Sequence, residues 1–206
     1  MPTNRLGLVQ VYTGNGKGKT SIALGIALRA VGQNLKVYIV QFLKGGAYTG
    51  EFIAATNFLP QLKIKQFGKH CVKEKKQLKL EGANGFPHLN YIREDVDCGE
   101  CRECFLDDNE QKMLAIEAFE HAKGVVSSGD YDLVILDEIN NCMDKGLVNA
   151  DSVLELIKNK PSNVELVLTG RNAPQKIIDI ADLVTVMNEM KHPMQSGVVG
   201  RRGVEY

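Results

Sequence analysis

Residues 13–21, Thr13-Gly14-Asn15-Gly16-Lys17-Gly18-Lys19-Thr20-Ser21, restrict the possible folds of this chain more than any other stretch. An apolar run at 6–12 precedes them and a helical pattern at 22–31 follows. Strand, glycine-rich turn and helix in that order present a row of backbone N–H groups and a helix N-terminus to an anion. Gly18-Lys19-Thr20 adds a cation for phosphate and a hydroxyl for Mg²⁺. The stretch reads as a triphosphate cradle. A flexible Gly/Lys turn would explain the glycines, but not a Lys-Thr pair at a helix start.

The cradle is a variant. The usual pattern is G-x-x-x-x-G-K-[ST], and Thr13 stands at its first glycine. The dinucleotide pattern G-x-G-x-x-G fails as well, because Lys19 occupies its third glycine and Gln41 ends the next apolar run where an acid belongs. Nicotinamide and flavin readings recede accordingly.

Downstream, short β-branched runs alternate with helical patterns. Strands are expected at 36–42, 62–67, 131–136, 164–169 and 182–187, and helices at 50–60, 109–126, 150–158 and 174–181. Asn149 or Asp151 would cap the third of these helices. Nearly all-apolar strands in such alternation predict an α/β fold. The sheet should be mostly parallel and flanked by helices on both faces, like P-loop nucleotide hydrolases. At 206 residues one domain is expected, carrying a polar, Cys-containing insertion at about 68–108.

Two more strand ends carry chemistry. The run 133–136 leads into Asp137-Glu138, where a carboxylate can reach Mg²⁺ beside the phosphates. Successive residues of a strand point to opposite sides, so only one of the two acids can face the ion unless the strand has ended. Thr169-Gly170-Arg171 repeats the logic, since ligands bind outside the carboxyl ends of α/β strands and Arg pairs bidentately with phosphate. Lys191-His192 follows the last strand at an expected sheet edge and belongs with the candidate binding residues, without an assigned role.

Composition narrows the partners. Basic and acidic residues balance at 25 each, which argues against a broad nucleic-acid footprint. No apolar run is long enough to span a bilayer, and the first residues lack a signal-peptide core, so a cytoplasmic protein is expected. Cysteines number five, and Cys98, Cys101 and Cys104 sit at C-x₂-C-x₂-C spacing. That spacing suits a shared metal ion or cluster, with Cys71, His70 or His88 as a fourth ligand. A structural Zn²⁺, an iron–sulfur cluster, and reduced or disulfide-forming thiols all remain open. Cys142 reads as a small packing residue.

TGNGKGKTSIALGIALRAVG (13–32), VQFLKGG (40–46) with Gly50-Glu51, VILDEIN (134–140), LTGRNAP (168–174), ADLVTVM (181–187), KHP (191–193) and GVEY (203–206) together resemble the ATP:corrinoid adenosyltransferases of the cob(I)yrinic acid a,c-diamide type. A GNGKGKT run lacking the first glycine is itself a mark of that family. The resemblance implies that ATP's triphosphate is the leaving group while a Co(I) corrinoid attacks the ribose C5′ carbon. By motif, residues 15–21 would bind phosphates, and Lys19, Thr20, Glu138 and Arg171 would serve the reaction. Thr20 and Glu138 would hold Mg²⁺ with Asp137 in support, and Gln41, Lys44 and Glu51 would line the adenosine and corrinoid side. The resemblance also implies an electron donor and a homodimer. It is weakest at 68–108, where family members place aromatic residues against the lower corrinoid face; Phe67 and Phe86 are the candidate substitutes here. Two other readings compete: a P-loop transferase or kinase with a zinc-bound cysteine lobe, and a non-enzymatic, nucleotide-dependent regulator or metal carrier.

Overall fold

The computed structural model describes residues 6–45, 49–69, 104, 108–201 and 203–205. Six strands form one sheet: β1 Val9–Thr13, β2 Val37–Phe42, β3 Leu62–Phe67, β4 Leu133–Asp137, β5 Glu165–Thr169 and β6 Leu183–Val186, in the order β3-β2-β4-β5-β1-β6. Every neighbouring pair is parallel, with Val11 opposite Leu168 and Gln41 opposite Asp137 in the register. All strands therefore end on the same edge, and β1, β2, β4 and β5 deliver the candidate residues to it.

The central strands are buried because both faces are covered. On one face Val11, Phe42, Leu136 and Leu168 pack with Ala118, Phe119 and Ala122 of helix α3 (Asn109–Ser128). On the other, Ile39, Ile135 and Val167 pack with Ala23, Ala27 and Ala30 of helix α1 (Lys19–Gly32). Alanines at helical spacing let α1 lie close to the sheet. The Asp108 carboxylate accepts from the Gln111 N–H at 3.0 Å and caps α3. In chain order helix α2 (Gly50–Phe58) lies between β2 and β3, α4 (Ile139–Asp144) and α5 (Ala150–Asn159) between β4 and β5, and α6 (Gln175–Ile178) between β5 and β6. Of the two cap candidates for α5, the Asn149 side chain is the one that accepts, from the Asp151 N–H at 2.8 Å.

Three features depart from expectation. Helix α4 starts directly after β4 with no connecting loop. The helix expected at 174–181 closes after four residues, Gln175–Ile178. A helix this short shields little of its neighbour, and all four residues of β6 are exposed, so this edge strand is not covered on both faces. Among the described residues no helix is long and apolar enough to cross a membrane.

Candidate functional site

The glycine-rich loop leaves β1 and turns into α1 along the end of β6. Gly14 has φ of 98°, and a Cβ on it would lie 2.4 Å from the Met187 carbonyl oxygen; on Gly16 the same atom would be 2.8 Å away. The Gly16 N–H donates to that oxygen at 2.7 Å. These glycines are thus required by a neighbouring backbone, besides any ligand. Thr13 has its own explanation: its hydroxyl accepts from the Ala173 N–H at 3.0 Å, tying the loop to the segment that carries Arg171.

Lys19 is buried, and its ammonium donates to the Gly14 and Gly16 carbonyls at 2.7 Å each. Burial lowers its pKa, opposed by the Glu138 carboxylate. Two of three ammonium protons hold the loop open and one is left for a ligand.

The paired acids divide their roles. Asp137 ends β4, is 1% exposed, and accepts from Thr20, Thr169, Gln41 and Lys44 at 3.0, 2.6, 3.1 and 2.8 Å. Burial alone would raise its pKa, but Lys44 and these hydrogen bonds outweigh that and lower it. Glu138 takes a left-handed backbone (φ 68°, ψ 15°), so the strand has ended and its side chain faces the same cavity as the loop. Among the described residues its carboxylate accepts no hydrogen bond. Burial and then the Asp137 charge raise its pKa. Thr20 hydroxyl, Asp137 and Glu138 form an all-oxygen donor set of the kind a hard divalent cation takes, with a lysine ammonium standing among them.

One cavity of roughly 720 Å³ gathers most of the candidates: residues 15–21, Lys44, Glu51, Glu138, Arg171 and His192. Gln41 is fully buried and lies behind the wall, donating to Glu51 and Asp137 at 3.1 Å each. Lys191 is exposed and is not part of the lining. The expected thiol cluster falls largely outside the described residues, as do Cys71, Cys98, Cys101, His70, His88 and Phe86; among the described residues no group of three or more His, Cys, Asp or Glu side chains is placed to hold a metal ion. Cys142 is buried in the core, as expected.

Several lining residues were not foreseen. Leu24 and Leu28 of α1, with Ala54 of α2 and Leu59 just past its end, give the cavity an apolar wall. The clue was available in α1: its alanines already fill the sheet-facing positions, so these leucines must face elsewhere. The last residues fold back across the loop. Glu205 Oε1 lies 2.6 Å from Lys17 Nζ, and the Glu189 N–H donates to Asn15 Oδ1 at 3.3 Å. Nothing local in the sequence signals that return.

The model of the family described as ATP:corrinoid adenosyltransferase BtuR/CobO/CobP matches residues 5–107 and 86–206. A protein named corrinoid adenosyltransferase from Sinorhizobium sp. is 34% identical over 206 residues, covering 99% of this chain and 82% of its own length. One of the same name from Escherichia coli is 31% identical over 200 residues, covering 97% and 86%. An uncharacterised Nostoc sp. protein is 34% identical over 198 residues, and there the chain spans only 45% of its relative.

Proposed function

This chain belongs to the ATP:corrinoid adenosyltransferase family, and on that premise we propose that it transfers the 5′-deoxyadenosyl group of ATP to the Co(I) of a corrinoid. The supporting observation is the cavity itself, where the phosphate loop, Glu138 and Arg171 meet beside an apolar wall. That combination suits a ligand with an anionic end and a bulky, less polar remainder.

In this reading the cobalt electron pair attacks C5′, the C5′–O bond breaks, and its electrons leave with the triphosphate. Negative charge grows on the departing oxygen, so the loop N–H groups, the free proton of Lys19, Lys17 and Arg171 stabilise the transition state more than the ground state. Co(I) is already strongly nucleophilic, so no residue is needed as general base. Thr20 and Glu138 would hold Mg²⁺, with Asp137 supporting Thr20 from below; the ion supplies further charge neutralisation at the phosphates. Gln41 positions Glu51 and Asp137 from within the core, and Leu24, Leu28 and Leu59 exclude water from the remainder of the substrates. An electron donor that produces Co(I), a homodimeric state and a cytoplasmic location complete the proposal.

Incubation with ATP and a chemically reduced corrinoid should yield adenosylcorrinoid and intact triphosphate. ADP and phosphate would instead indicate a kinase or ATPase, and no turnover would favour a nucleotide-dependent regulator. Lys19→Ala should abolish transfer with the fold retained, as judged by circular dichroism.

A further inference from the structure

β2 ends at Phe42, and the next residue, Leu43, is buried with φ of 59°. A bulky side chain rarely accepts that left-handed backbone, and such strain persists only where the surroundings impose it. Here the constraint is visible: a Cβ on Gly68, just past β3, would lie 2.5 Å from both the nitrogen and the carbonyl carbon of Lys44. The Lys44 backbone is therefore clamped, and its side chain reaches a defined point. Nζ lies 2.8 Å from Asp137 Oδ2, 3.2 Å from Thr20 Oγ1 and 3.8 Å from Glu51 Oε1. That point is where the loop hydroxyl and the strand-end carboxylate converge, the place a P-loop protein gives to its divalent cation.

We propose that Lys44 is a built-in stand-in for the metal ion, filling the cation position while the site is empty and leaving it when the metal arrives with the nucleotide. The inference rests on reading the loop as an Mg·ATP site. Its physical basis is the burial of Asp137: an uncompensated carboxylate there would destabilise the empty protein, and the ammonium compensates it. A divalent ion needs the Thr20 oxygen at about 2.0–2.1 Å, which leaves no room for an ammonium hydrogen-bonded to it. Metal alone must displace Lys44 without help and binds weakly. Metal with ATP brings phosphate oxygens for itself and new partners for the ammonium, so both enter together. Lys44 is on this account a positioning residue that sets the order of binding.

Mn²⁺ titrated into the nucleotide-free protein and followed by electron paramagnetic resonance reads the first consequence. Lys44→Met should bind Mn²⁺ at least about tenfold more tightly than the parent, because a like charge at contact distance is gone. Lys44→Arg, which keeps the charge, should bind as weakly as the parent. Equal affinity in the Met variant, or tight binding in the Arg variant, overturns the proposal. The parent protein gives a second reading that does not depend on a variant folding. The side-chain ammonium resonance of Lys44 in ¹⁵N-labelled protein should move or vanish on adding Mg·ATP, and stay in place with ATP and a chelator. A resonance unmoved while Mg·ATP is demonstrably bound refutes displacement. Failure of ATP to bind at all would instead overturn the nucleotide reading beneath it.

Discussion

The hydroxyl of Thr13 accepts a hydrogen bond from the backbone N–H of Ala173 at 3.0 Å, joining the glycine-rich loop to the segment that carries Arg171. A glycine at this position, as in the commoner loop pattern, could not make that link. Thr13→Gly should lose a part-buried hydrogen bond and add backbone freedom to the unfolded chain, together about 1–2 kcal/mol by urea denaturation. It should also weaken triphosphate binding, measured by calorimetry, since Arg171 loses its anchor. Thr13→Ser keeps the acceptor and should behave like the parent. Equal triphosphate affinity in the glycine variant would show that the link does not position Arg171.

Gly14 tests whether the loop glycines serve neighbour or ligand. Alanine there is strained at φ of 98° and meets the Met187 carbonyl at 2.4 Å. Gly14→Ala should therefore cost more than about 2 kcal/mol in the absence of any ligand. Gly16→Ala, facing the same carbonyl at 2.8 Å, should cost a comparable amount and also strain the Gly16–Met187 hydrogen bond. Thermal melts of both variants without nucleotide are the measurement. Near-parental melting temperatures would return these glycines to a ligand-only role.

What could be read from the sequence was local. β3 falls at 62–67 and α3 begins at 109 as expected, because alternation and the helical spacing of apolar residues are written in adjacent residues. Helix α4 was not legible: six residues, Ile-Asn-Asn-Cys-Met-Asp, are too few to show a period, and a left-handed Glu138 replaces the loop that normally announces a helix. Both acids of the 137–138 pair were legible, but the local pattern left open which of them faces the ion, because that depends on where β4 stops; only the resemblance put Glu138 on the ion and Asp137 in support. The tail's return was out of reach for another reason. Lys17 and Glu205 are 188 positions apart, and neither has a neighbour pattern that implies the other.

His121 offers a pH test remote from the cavity. Its Nε2 lies 2.7 Å from the Tyr38 hydroxyl and its ring packs against Phe67, so the neutral form with Nε2 as acceptor fits the site. Burial, then Lys65, lower its pKa below the ordinary 6.5, against a smaller opposing pull from Glu117. Between the folded and unfolded values the unfolded chain binds more protons, so stability rises with pH. The contribution is complete above about 6.5 and lost as pH falls through that value toward the lower folded one. His121→Phe should flatten the decline in urea midpoint between pH 7 and pH 5.5. An unchanged slope would place the decline elsewhere.

Glu205 binds the tail to the loop, and the proposed phosphate at Lys17 would compete with it. Its carboxylate accepts from Lys17 Nζ at 2.6 Å and from the Arg201 backbone, Nε and Nη2 at 2.7, 3.2 and 3.1 Å. Hydrogen bonds from Arg201 first, then Lys17, hold its pKa at about 2. A depressed carboxylate keeps its contribution above the ordinary value and loses it only as pH falls through the folded one, so the tether is charged throughout neutral and mildly acidic solution. An anion arriving at Lys17 must therefore displace Glu205 or share the ammonium with it. Glu205→Gln keeps the shape and removes the charge, freeing Lys17. Inorganic triphosphate should then bind roughly two- to fivefold more tightly, the span expected for a partly exposed ion pair, with a shallower dependence on salt. Hydrogen exchange at the Val204 amide, which donates to the Arg201 carbonyl at 3.2 Å, should quicken as the turn loosens. Weaker triphosphate binding in this variant would mean that Glu205 orients Lys17 toward the anion instead of competing with it.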